Sequence, residues 1–420
     1  MTSLWLLLWI ALGIVLQVGL FLAVGLWRHW REYLALRNRA AELDLAAPRE
    51  DIAGTADAAV TAWSGFRAFR VERKQIEDAA RSVCSFYLVP EDDQPLPSFL
   101  PGQFLTFRLD VPTPAGAESI IRCYSLSDAP APGHYRVSIK RVSAPQGSDL
   151  PPGRSSNFFH DQINVGDVLQ MRAPAGHFYV DRGDAPVVLI GGGIGITPML
   201  SMLNWSLAEQ PGREVWLFYG VRHGGELVMK PQLDAMAAAH PNFHLQVCCS
   251  EPRPEDVAGR DYQHRGRVEL KLLRLMLPLK PYHYYICGPA PMMASLVSAL
   301  EDWGVPDARI HFEAFGPASI KRRTAAAEPS AGAAAAAIVV KFAKSGKELP
   351  WRPDAGSLLE FAEANGIAVD SGCRAGGCGT CQTTIQSGEV VYRQMPDFDP
   401  EPGTCLLCVC APKTNVSLEL

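Results

Sequence analysis

Six of the eleven cysteines lie in the last 48 residues, and four of them are spaced Cys373-x4-Cys378-x2-Cys381 with Cys408 downstream. Three thiolates on one short loop, with a fourth from a separate segment, form the arrangement that encloses a [2Fe-2S] cluster. The loop must turn backbone N–H groups toward sulfur, and Gly372, Gly376, Gly377 and Gly379 stand where a Cβ would hinder that. Cys405 and Cys410 rival Cys408 for the fourth place. The alternative chemistry is a structural zinc site, which more often uses two C-x2-C pairs. A secreted disulfide framework would spread paired cysteines through a short chain, so this clustering points to metal ligation in a reducing compartment.

The 420 residues, 48% hydrophobic and 20% charged, suffice for about two or three domains with cores of their own. A formal net charge of -5 gives no basic excess, which sets nucleic-acid binding aside. From Leu4 to Trp27 no charged residue occurs. As a helix that run is about 36 Å long, enough to cross a bilayer core. A cleaved signal peptide would need a positive start and a small-residue cleavage site, and neither is present. Arg28, Arg31, Arg37 and Arg39 follow, so the positive-inside rule predicts a single-pass anchor in the inner membrane with the remaining domains in the cytoplasm.

Beyond the expected transmembrane helix (residues 1–27), residues 28–62 read as a juxtamembrane helix and tether. Residues 63–180 break into short β-rich runs between Pro/Gly turns, which predicts a small antiparallel β-barrel. In residues 181–320 apolar strands alternate with helical stretches, the pattern of a parallel sheet covered by helices. Residues 321–337, Ala-rich from Thr324 to Ala337, form a linker. Residues 338–420 begin with a hairpin-like pattern and continue through a helix at Leu358 to Ala364, the cysteine loop and a last strand.

Two further motifs carry chemistry. Arg122-Cys-Tyr124-Ser125-Leu-Ser127 lies on a barrel strand, where alternation puts a cation and an aromatic face on one side. A flavin needs these for its phosphate and isoalloxazine, with a hydroxyl such as that of Ser125 near the ring nitrogens. Taken alone, the motif also fits an exposed arginine beside a packed tyrosine. Gly153-Arg-Ser155-Ser156-Asn157 opens a short helix whose N–H groups and hydroxyls could hold the flavin diphosphate. Gly191-Gly192-Gly193-Ile-Gly195-Ile-Thr197-Pro198 follows an apolar strand, with Thr197 and Pro198 expected as N-cap and first helical residue. A pyrophosphate would sit at such a turn, although the spacing is not the Rossmann G-x-G-x-x-G. Cys287-Gly288-Pro289 ends a later strand, at the edge where ligands of parallel sheets bind.

With these motifs in order, residues 63–420 resemble the ferredoxin-NADP reductase superfamily, and specifically the iron-sulfur flavoprotein reductases that feed oxygenases. The barrel segment, including Pro101-Gly-Gln103-Phe104, is similar to the reductase portion of flavohaemoglobins, which implies FAD rather than FMN. The resemblance implies that Arg122, Tyr124 and Ser125 contact the flavin and that Gly191 to Thr197 hold the nicotinamide diphosphate. It places Cys287 near the nicotinamide ring, and Phe315, within Glu313-Ala-Phe315-Gly316, over the flavin face. A buried core phenylalanine is the other reading of Phe315. The family's Cys-x-x-x-Pro ending, here Cys408 to Pro412, favours Cys408 as fourth ligand of an α+β, β-grasp ferredoxin domain. Domain order resembles phthalate-dioxygenase and phenylacetate-type reductases. Sodium-pumping NADH:quinone reductase subunits also have an anchor, but their cluster domain follows it directly.

The resulting expectation is hydride transfer from NADH or NADPH to FAD, then single-electron steps through the [2Fe-2S] cluster to a protein acceptor. The flavin is required because nicotinamide gives two electrons together and the cluster takes one. An anchored reductase implies an acceptor in or on the lipid bilayer, such as an oxygenase, hydroxylase or desaturase. A quinone-directed NADH dehydrogenase is the enzymatic alternative. A redox-sensing or assembly protein without steady turnover is the other. Arg222 could pair a 2′-phosphate or be a solvated strand-end charge; resemblance favours NADH.

Overall fold

The computed structural model describes residues 62–114, 116–144, 147, 151–315, 338–352, 355–374, 376–393, 396 and 398–420. The expected membrane span, nearly all of the tether and the linker lie outside these residues. Among the described residues, no helix is long and apolar enough to cross a membrane.

The first domain is a six-stranded antiparallel sheet of β1 (Arg67–Ile76), β2 (Val83–Pro90), β3 (Phe104–Thr113), β4 (Gly116–Ser125), β5 (Tyr135–Lys140) and β6 (Val168–Met171). The order is β4-β3-β6-β1-β2-β5. Alternation builds it: on β1, Phe69 and Val71 are fully buried while Arg70 and Glu72 face solvent. The expected antiparallel barrel forms as a half-barrel, because β4 and β5 are joined by the isolated bridge Leu126–Val137 and no ladder. The seam left beside β4 is where the Arg122 to Ser125 motif lies.

The second domain is a wholly parallel sheet of β7 (Val187–Gly192), β8 (Val215–Val221), β9 (Phe243–Cys249), β10 (His264–Arg265), β11 (His283–Cys287) and β12 (Ile310–Glu313). Its order, β10-β9-β8-β7-β11-β12, reverses direction at β7 and β11. That switch point opens a crevice at the carboxyl ends of the strands, where ligands of such sheets bind. Every residue of β7 is buried, as in a strand covered on both faces.

One local expectation needs correction. The helix after the glycine turn runs Ile196–Glu209 with Gly195 as N-cap, preceded by a 3-10 turn at Gly193–Gly195. Thr197 sits inside the first turn and donates its hydroxyl to the Ile194 carbonyl at 3.0 Å. The glycines tighten the chain earlier than a threonine cap would require.

The third domain holds β13 (Val339–Phe342), β14 (Lys347–Pro350), β15 (Gln382–Ser387), β16 (Val390–Tyr392), β17 (Thr404–Leu406), β18 (Cys410–Pro412) and β19 (Val416–Leu418). Its main sheet runs β14-β13-β19-β15-β17, and β16 pairs with β18. The helix Leu358–Ala364 packs on the core and starts with a capping box, Ser357 and Glu360 each bonding the other's backbone N–H.

Candidate redox site

A cavity of about 830 Å³ collects residues from all three domains. From the half-barrel come Arg122, Cys123, Tyr124 and Ser125 at the end of β4, Lys140 and Arg141 at the end of β5, and Gly153 to Ser156. Ile194 and Thr197 come from the parallel-sheet domain, with Glu313, Ala314 and Phe315. Gly372 and Cys373 of the cysteine loop close it.

On the flavin side, Tyr124 and Ser155 share a hydrogen bond of 2.5 Å, and burial pushes the tyrosine hydroxyl up to about 12, so the ring stays neutral. Helix Arg154–Asp161 begins at Gly153. The Ser156 hydroxyl donates to the Gly153 carbonyl at 3.2 Å and accepts from Val142 N–H at 3.1 Å. Both serine hydroxyls are therefore engaged within the protein, and the helix start offers chiefly its backbone N–H groups to an anion. Arg122 is exposed and donates to its neighbour's carbonyl at 2.6 Å, while Arg154 is paired with Glu118.

On the nicotinamide side, glycine is needed where two strands' ends meet. A Cβ on Gly195 would come within 2.2 Å of the Cys287 carbonyl oxygen, and one on Gly192 within 2.7 Å of Pro289. Thus Gly192 and Gly195 seat the turn on Cys287-Gly288-Pro289, Gly191 lies close against Ile196, and Gly193, at φ +53°, has open space above it. Cys287 is fully buried, and burial raises its thiol well above the usual range. Neither it nor Gly288 nor Pro289 lines the cavity; Phe315, 41% exposed, does.

Glu313 was not singled out by sequence, although an acidic residue closing a strand two places before Phe315 was a usable signal. Burial drives its carboxyl up to about 8, the Cys373 thiol adds to this and the Ser125 hydroxyl opposes it. Ser125 Oγ and Glu313 Oε2 are both buried without a satisfied hydrogen bond, beside one wall of the cavity. Unfilled polar atoms around a space of this size and lining fit a bound aromatic cofactor with polar edges.

The cysteine loop lies against the half-barrel. Cys373 Sγ accepts N–H bonds from Gly377 at 3.2 Å and Cys378 at 3.3 Å, and Cys378 Sγ accepts from Cys373 N at 3.2 Å and Thr380 Oγ1 at 3.1 Å. Cys408 faces Cys373 and Cys381, so the four spaced cysteines converge. Donor N–H groups aimed at sulfur are what anionic thiolates around a cluster require. Cys405 and Cys410 are fully buried and face each other instead. Cys123, between the two named residues of the flavin motif, contacts both Cys373 and Cys378.

Known proteins show the same order of parts. The oxidoreductase FAD-binding domain family matches residues 70–179, the oxidoreductase NAD-binding domain family 189–298, and the 2Fe-2S iron-sulfur cluster binding domain family 340–413. Phthalate dioxygenase reductase, described as a modular structure for electron transfer from pyridine nucleotides to [2Fe-2S], is 27% identical, with 85% of this chain and 98% of that one covered at a TM-score of 0.50. The chain is an oxidoreductase with ferredoxin-NADP reductase-like FAD- and NAD-binding domains and a C-terminal 2Fe-2S domain. This reductase also matches the FAD/NAD-binding domain of nitric oxide dioxygenase from Vibrio cholerae, at 34% identity and TM-score 0.52, over 60% of its own length and 99% of that domain. The flavohemoprotein of Halalkalibacterium halodurans is 40% identical over 257 residues, 61% of each chain. The reductase thus spans about three fifths of the length of that curated relative. Its three domains are of the kinds that hold FAD, a nicotinamide nucleotide and a 2Fe-2S centre.

Proposed function

We propose that this reductase is held at the inner membrane by Leu4 to Trp27, with its domains in the cytoplasm, and delivers single electrons to an oxygenase, hydroxylase or desaturase in or on that membrane. The observation that carries the internal route is that one cavity has the flavin motif, Phe315 and Cys373 in its walls. Bound FAD supplies the conversion between a two-electron donor and one-electron acceptors.

The chain's residues do the rest. Tyr124 offers an aromatic face to the isoalloxazine, held in place through Ser155. Arg122 and the N–H groups after Gly153 bind phosphate. Ser125 and a protonated Glu313 offer hydrogen bonds at the inner wall, and Phe315 covers the ring until nicotinamide arrives. Gly191 to Gly195 and Thr197 shape the turn that takes the nicotinamide diphosphate, with Cys287, Gly288 and Pro289 as its floor. Cys373, Cys378, Cys381 and Cys408 ligate the cluster. NADH is the proposed donor, because Arg222 is already engaged by Glu226, whose carboxylate Arg222 and Lys140 hold down at about 2 against its burial.

Deleting residues 1–30 tests the anchor. NADH-ferricyanide turnover should persist while transfer to a membrane acceptor in native vesicles drops by an order of magnitude or more, the effect of lost tethering. Equal transfer by both forms refutes the membrane assignment.

A further inference from the structure

Arg172 directly follows β6, its backbone N–H donating to the Thr106 carbonyl at 2.9 Å. Its guanidinium lies 4.8 Å from the ring centre of Phe66, just before β1, and 4.6 Å from that of Phe398 in the ferredoxin domain. Arg108 covers Phe66 at 4.5 Å. Phe398 is itself part of the cysteine loop's packing. Its N–H donates to the Gly376 carbonyl at 3.0 Å, and its ring fills the space where a Cβ on Gly379 would approach to 2.7 Å. One guanidinium therefore stacks on the half-barrel and on the residue that backs the cluster loop.

Among the described residues, Arg172 has no conventional partner for its charge. Its Nε is buried without a hydrogen bond, and among the described residues no carboxylate pairs with it. Burial opposes its charge; the thiols of Cys378 and Cys123 favour it, and Arg108 repels it. A half-buried cation with no carboxylate beside it among the described residues is costly, and two aromatic faces offset only part of that cost. Among the described residues, the cysteine loop is the neighbour that turns anionic: with its cluster bound it is negative, and it gains one more negative charge on reduction.

We propose that Arg172 is a positioning residue for internal electron transfer, its cation seating the ferredoxin domain on the half-barrel through Phe398 and raising the reduction potential of the cluster. This rests on the assignment of Cys373, Cys378, Cys381 and Cys408 as ligands. The lysine substitution keeps the charge and loses the planar stack, whereas glutamine keeps a planar group and loses the charge.

The test uses full-length holoenzyme of wild type, R172Q, R172K and F398L, matched for flavin and iron content. EPR-monitored redox titration should show the R172Q cluster shifted by about a tenfold change in its reduction equilibrium, which for one electron is about 59 mV, toward lower potential. R172K should stay near wild type. In stopped-flow mixing with NADH, flavin bleaching should be unchanged in all variants while cluster bleaching slows about tenfold in R172Q and several-fold in F398L. An R172Q potential and cluster-reduction rate equal to wild type overturn the proposal, as does an R172K cluster shifted as far as R172Q. F398L carries the docking half of the test if R172Q does not assemble its cluster. Wild-type enzyme whose cluster never bleaches with NADH would instead refute the electron-transfer reading itself.

Discussion

The Tyr124 hydroxyl lies 2.5 Å from Ser155 Oγ, tying the last turn of β4 to the first turn of the helix that follows Gly153. The bond joins the ring-binding and phosphate-binding parts of the flavin site. Removing either hydroxyl leaves the other buried and unpaired, at a cost of about 1 kcal/mol. Y124F and S155A should each weaken FAD binding about fivefold, and the double variant should weaken it by less than the product of the two. Y124A, which deletes the aromatic face, should lose flavin on gel filtration. Flavin fluorescence titration of the apoprotein measures all four; strictly multiplicative effects of the two single changes would show that the bond does not act in binding.

Glu313 gives the molecule a distinctive pH response. Its carboxyl sits near 8 instead of its ordinary 4.5, chiefly through burial. Between those values the folded protein binds more protons than the unfolded chain, so this group's contribution makes stability fall as pH rises through the window and level off above it. The slope is at most about 1.4 kcal/mol per pH unit. E313Q, which cannot ionise, should become progressively more stable relative to wild type from pH 5.5 to 8.5. Urea midpoints of both proteins at the two pH values check this, and a constant difference would mean that Glu313 titrates as an ordinary carboxyl.

What could be read from sequence was local. The cysteine loop, the glycine turn after a buried strand and the helix at Leu358 to Ala364 each announce themselves within about ten residues, because spacing and turn chemistry determine them. Cys123 and Glu313 were not legible as site residues, since register and tertiary approach give them their neighbours. Cys123 acquires its role only because the ferredoxin domain packs on β4 and brings Cys373 and Cys378 to it. Arg172 and Phe398 are 226 residues apart in the chain, and nothing local to either marks their stacking. How far the barrel closes is not legible for a related reason: alternation reports which face is buried, not whether the two edge strands meet.

Gly195 and Gly193 should respond differently to the same substitution. An alanine at 195 places its Cβ 2.2 Å from the Cys287 carbonyl, where backbone meets backbone and no rotamer relieves the clash. The cost is about 1–3 kcal/mol or more, with the turn pushed off its floor. At 193 there is open space, and the penalty is only that of a left-handed alanine, about 1–2 kcal/mol. G195A should therefore lower the urea midpoint and raise the KM for NADH at least tenfold, while G193A lowers stability with a smaller change in KM. Similar KM values for the two variants would show that the Gly195–Cys287 contact does not shape the nucleotide site.

The three cysteines near the C-terminus can be separated by chemistry. Cys408 faces Cys381 and Cys373, whereas Cys405 and Cys410, both fully buried, face each other behind it. C408S replaces a soft thiolate with a hydroxyl that binds iron poorly, so it should lose most of its iron and sulfide and the EPR signal of the reduced cluster. C405S and C410S exchange a buried thiol for a more polar group in an apolar core, so they should cost about 1–3 kcal/mol of stability and retain a full cluster. Iron and acid-labile sulfide analysis of anaerobically purified variants, with EPR after NADH reduction, distinguishes these outcomes. Retention of the wild-type signal in C408S together with its loss in C410S would transfer the fourth ligand to Cys410 and would place the cluster deeper in the core than the convergence of Cys373, Cys381 and Cys408 requires.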